Sequence, residues 1–116
     1  MTMKVSKNYK REEYSCKCGC GFMAVDITLI TIAQLLRDKY GSGTVRSGCR
    51  CKKHNDETKN SNPNSFHVLG MAVDLSFKSG NVHEWAREIE VMGFMEWVQV
   101  VKYEEDNFCH IEIDYR

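Results

Sequence analysis

The chain has 116 residues, 42% of them hydrophobic, which fits one domain with its own core and makes disulfides unnecessary for stability. Lys and Arg number 16, Asp and Glu also 16, and the formal net charge is zero. That balance excludes a partner held by bulk charge, such as nucleic acid or an anionic membrane. No apolar run reaches the roughly eighteen residues that a spanning helix needs.

Residues 1–15 are polar and read as an extended lead-in to a single domain over 1–116. The start, MTMKVSKNYKREEYSCK, carries charge without an apolar stretch after it, so it is not read as a secretory signal. The expectation is a protein made in the cytoplasm. Cys16 to Phe22 is a Gly-rich loop. Ala24 to Gly41 then reads as one amphipathic helix, with Ile27, Ile30, Ile32, Leu35 and Leu36 at helical spacing, Asp26 as its cap and Gly41 as its stop.

Thr44 to Gly48 is a short strand candidate that runs into a polar loop from Cys49 to Asn64. A loop of that length in a small domain usually serves function. Ser65 to Gly70 reads as a helical turn and Ala72 to Phe77 as an alternating strand. Asn81 to Gly93 is a second helix, capped by Asn81, striped by Trp85, Ile89 and Met92, and stopped by Gly93. Trp97 to Tyr103 and Phe108 to Asp114 complete the chain as antiparallel strands around Glu104 to Asn107. Helices and strands are segregated, so the fold class is α+β. The expected architecture is a small antiparallel sheet with helices on one face.

The chemistry-bearing residues are His67, Asp74 and His110, in SFHVLGMAVDLSF and FCHIEID. Alternation puts His110 and Glu112 on one strand face and Ile111 and Ile113 on the other, while Asp74 also faces away from the core. These donors therefore project from the open face of the sheet. Two imidazoles and a carboxylate with an open position suit catalytic zinc, and the same set also suits non-haem iron. The six cysteines, Cys16, Cys18, Cys20, Cys49, Cys51 and Cys109, leave three readings open: reduced structural thiols, a second thiolate-bound zinc, or disulfides. Within CKCGC, Cys16 and Cys20 come closest to ligand spacing.

Three ordered stretches, SGCRCKKHN (47–55), PNSFHVLGMAVDL (63–75) and FCHIEI (108–113), resemble the zinc D-Ala-D-Ala carboxypeptidase and L-alanyl-D-glutamate endopeptidase family. That family includes cell-wall peptidases and phage endolysins, and Hedgehog domains share its fold. The CKCGCGF opening looks like that of a short subgroup, and the resemblance covers about residues 14–114. It implies a zinc peptidase acting on peptidoglycan stem peptides, with His67, Asp74 and His110 as metal ligands. Arg50 matches the arginine that binds substrate and polarises its carbonyl, and Ser65 a serine near the substrate. It implies a general base at Glu104 or Asp106, with Glu112 as an alternative that supports a ligand. Asn107 stands where better-studied members carry an acid, and Cys49 replaces the usual aromatic beside the arginine. The implied protein is a monomer that reaches the wall after release, of phage or prophage origin.

Overall fold

Alternation of apolar side chains builds the centre of the molecule. In the computed structural model, which describes residues 4–57, 66–93 and 96–114, the strands are β1 (Gly43–Ser47), β2 (Ala72–Phe77), β3 (Val98–Tyr103) and β4 (Phe108–Ile113). They form one antiparallel sheet in the order β1-β2-β4-β3. Val45, Val73, Leu75, Phe77, Val98, Cys109, Ile111 and Ile113 are buried in the core. Asp74, His110 and Glu112 alternate with these residues and so take the other face.

Two helices cover the apolar face. Helix α1 (Ile27–Tyr40) starts at Asp26, whose carboxylate accepts the Thr28 N–H at 2.8 Å. It ends at Gly41, whose φ of 85° suits a residue without Cβ. It buries Leu29, Ile32, Ala33, Leu36 and Tyr40. The stripe is thus rotated from the expected one: Ile27 is 77% exposed and Leu35 44%. Helix α3 (Val82–Val91) is capped by Asn81, which accepts from the His83 and Glu84 N–H groups. It buries Val82, Trp85 and Ile89. Trp85 meets Phe77 edge-on at 5.3 Å between ring centroids and donates its indole N–H to Ser79 O at 3.0 Å. Lys39 and Glu88 pair at 2.7 Å between α1 and α3.

The structure departs from the sequence reading in two further places. Residues 52–57 of the expected polar loop form helix α2 (Lys52–Glu57), anchored by the fully buried Asn55. The expected extended lead-in instead bridges Lys4 to Lys10 and winds a 3₁₀ turn over Arg11–Tyr14. Tyr9 and Tyr14 enter the core from it. Burial of two aromatic rings outweighs the polarity of their neighbours, since each ring removes on the order of 200 Å² of surface from water. The rest of the loop's tail, with Pro63 and Ser65, lies outside the described residues.

Candidate metal centre

Backbone geometry on three segments brings the polar residues of the open face together. A 3₁₀ turn over Phe66–Leu69 carries His67, and Gly70, at a φ of 71°, reverses the chain into β2. A Cβ at Gly70 would press on the Ala24 backbone at 2.7 Å, so only glycine lets the segments approach. Asp74 lies in β2 directly opposite His110 in β4. Ligand atoms of His67, Asp74 and His110 all lie within 4.8 Å of one another. His67 and Asp74 are buried and His110 is half-buried.

Each imidazole is held by a second contact. His67 Nδ1 lies 2.6 Å from Gly48 O, the arrangement of an N–H donating to a carbonyl. This fixes its tautomer and leaves Nε2 facing Asp74 Oδ1 at 3.3 Å. His110 Nδ1 is 2.8 Å from Asp74 Oδ1, and its Nε2 is 2.9 Å from Glu112 Oε1. Glu112 thus orients His110 as a carboxylate orients a metal-ligating histidine. Burial pushes the Asp74 carboxyl up, but its contacts with His110 and His67 outweigh that and hold it at about 2. Burial pushes His110 down, yet Asp74 first and Glu112 second raise it above its ordinary 6.5.

Arg50 completes the site. Its N–H donates to His67 O at 3.0 Å. Its Nε donates to Ser47 Oγ and one terminal nitrogen to Asn55 Oδ1, each at 3.1 Å. The other terminal nitrogen stands 3.8 Å from Asp74 Oδ2. A guanidinium braced at two corners presents its remaining edge in a fixed direction. The motif 47–55 contains these braces, Ser47 and Asn55, and the supporting carbonyl of Gly48. Residue type alone gave them no role, because side chain and carbonyl bracing depend on how β1 meets α2. A Cβ at Gly48 would collide with the Tyr14 backbone.

The other expected site residues have partners of their own. Glu104 is exposed on the β3–β4 turn and faces His83 Nε2 at 3.4 Å. Asp106 is exposed on the same turn, where its carbonyl accepts from Arg46 at 2.9 Å. Asn107, at a φ of 49°, accepts the Val82 N–H at 3.2 Å and so helps cap α3. Ser65 lies outside the described residues. Cys49 is buried, with its sulfur 3.3 Å from Tyr14 O and 3.2 Å from Phe22 O. It fills the place beside Arg50 with backbone contacts instead of an aromatic ring.

Residues 7–112 match the family model described as Peptidase M15. No curated protein and no solved structure matches the chain.

Proposed function

The chain belongs to the peptidase M15 family, and on that premise we propose that it is a zinc peptidase hydrolysing the peptide stems of peptidoglycan. The observation that carries the reading is the convergence of His67, Asp74 and His110 donors within 4.8 Å. M15 peptidases are generally zinc-dependent, and the donor set fits that ion: two nitrogens, one carboxylate held ionised, and histidines oriented from behind. His67, Asp74 and His110 would hold it. Zinc, when bound, supplies the Lewis acid that activates water and polarises a carbonyl.

The chain's own residues supply the rest. Asp74 stays ionised at neutral pH. Glu112 keeps a proton on His110 Nε2, which leaves Nδ1 to the metal. Arg50 binds the scissile carbonyl or a stem carboxylate through the guanidinium edge that Ser47 and Asn55 leave open. In this reading the proton acceptor is an acid of the β3–β4 turn, Glu104 or Asp106, or else Glu112 beside His110, with Ser65 beside the substrate. Action at the wall after release from a cell, as a phage-type lysis enzyme cutting as a D,D-carboxypeptidase or endopeptidase, is the biological setting we propose. The protein works as a monomer in this reading.

The test is digestion of purified peptidoglycan by the zinc-loaded protein, with mass spectrometry of the released ends and His67→Ala as control. New stem-peptide ends that vanish in the variant and after chelation, and return with zinc, support the reading and identify the bond. Hydrolysis that survives full metal removal overturns it.

Asn107 favours a second reading, a relative that binds zinc without catalysis. Its side chain caps α3 and takes no proton from water. One tightly bound zinc with no released fragments from several wall types would support that alternative.

A further inference from the structure

We propose that Cys16, Cys18, Cys20 and Cys51 form a second metal site, a four-thiolate centre for zinc that is separate from the histidine site. The sulfurs of these residues lie within 4.8 Å of one another. Cys16 and Cys18 are 3.4 Å apart, Cys18 and Cys51 3.7 Å, and Cys16 and Cys51 3.8 Å. In a tetrahedron with zinc–sulfur bonds of about 2.3 Å, the sulfurs stand roughly 3.8 Å apart. The spacing of these three sulfurs is therefore that of ligands around one ion, with the Cys20 sulfur within 4.8 Å of each.

The backbone around the sulfurs is also arranged for negative charge. The Cys51 N–H points at the Cys16 sulfur at 3.3 Å, the His54 N–H at the Cys51 sulfur at 3.3 Å, and the Phe22 N–H at the Cys20 sulfur at 3.4 Å. Three of the four sulfurs thus face a backbone donor, the support that a thiolate needs and a neutral thiol does not. His54 Nδ1 adds a contact of 3.1 Å to the Cys16 sulfur. Gly19 and Gly21, both at a φ of 86°, turn the chain so that Cys16, Cys18 and Cys20 converge. The remaining cysteines, Cys49 and Cys109, are buried and are not members of this group.

Binding would release the thiol protons to solvent and leave a centre of net charge about −2. Lys52 and Lys53 follow directly on Cys51. The ion would join positions separated by 35 residues, closing a long loop whose end carries Arg50. Its contribution is structural: all four coordination positions are filled by protein, so no place remains for a substrate. The site shares no residue with the histidine centre, so the two can be lost independently.

The experiment measures metal on the full chain purified under reductant. Plasma mass spectrometry should find about two zinc per chain in the wild type and about one in both His67→Ala/His110→Ala and Cys18→Ser/Cys20→Ser. After cobalt substitution, a sulfur-to-cobalt charge-transfer band in the near ultraviolet should survive the histidine variant and vanish in the cysteine variant. If the cysteine variant does not fold, the band in the histidine variant decides alone. One zinc per wild-type chain with the thiols of this group open to titration overturns the proposal. So does a disulfide within the group that persists when reduced protein is refolded with zinc.

Discussion

Glu112 shows how much one residue behind a ligand can govern a site. It touches His110 Nε2 at 2.9 Å. Glu112→Ala should leave the fold intact and weaken zinc binding at the histidine centre about 10- to 100-fold, read by competition with a chromophoric chelator. An unchanged affinity would mean that Asp74 alone fixes the ring. The same cluster sets a pH response in the metal-free protein. Asp74 is depressed from 3.8 to about 2, so its contribution is present above pH 3.8 and is lost as pH falls toward 2. His110 is raised, so its contribution is present below pH 6.5 and is lost as pH climbs through its folded-state value. Urea unfolding in excess chelator should therefore show greatest stability between about pH 4 and 6.5, and Asp74→Asn should flatten both limbs. At residue scale the convergence of His67, Asp74 and His110 was legible because they stand in motifs with fixed neighbours. Their supports were harder to read, since the Gly48 carbonyl that orients His67 has no side chain to announce it.

At the scale of elements, caps were the clearest signals. Asp26, Gly41, Asn81 and Gly93 all stand at or just beyond the helix ends they were expected to mark. Asn81→Ala leaves the His83 and Glu84 N–H groups without their acceptor. It should cost about 1 kcal/mol in chemical denaturation with zinc content unchanged. The face of α1 was read less well. Ile27, Leu29, Ile30 and Ile32 offer apolar choices on several sides, so the sequence alone permits more than one stripe. Packing against β2 selects Leu29, Ile32 and Leu36. Leu36→Ala should cost about 2–5 kcal/mol, whereas Leu35→Ala should cost well under half of that, because Leu35 stands half in solvent. Helix α2 escaped notice because KKHNDE has no apolar face; it is held by Asn55, whose amide serves Arg50.

At the scale of the whole molecule, residues 4–15 are tied to the core through Tyr9 and Tyr14. Tyr9 and Tyr14 are almost fully buried, their rings tilted by 51° at 5.9 Å between centroids. Burial raises both phenols above their ordinary pKa. Deleting residues 1–15 should remove about 3–5 kcal/mol per ring, comparable with the entire stability of a small domain. Loss of the cooperative thermal transition is the expected result; a shortened chain that melts like the parent would contradict the assignment. Two tyrosines five apart in a charged stretch follow neither a helical nor a strand period, which is why this segment reads as a tail until its contacts are seen.

The pairing of Asp74 with His110 across β2 and β4 has a consequence for how the sheet finds its alignment. Slip by one residue would set Cys109 or Ile111 opposite Asp74 and turn the apolar side chains of β4 outward. An ion gripped by Asp74 and His110 would fit only the native alignment, so its binding energy would act on the choice between alignments. Metal should therefore slow amide hydrogen exchange most in the two inner strands, and a one-residue insertion between Asn107 and His110 should weaken metal retention before it unfolds the sheet. The ion, in this sense, would be a proofreader of strand pairing.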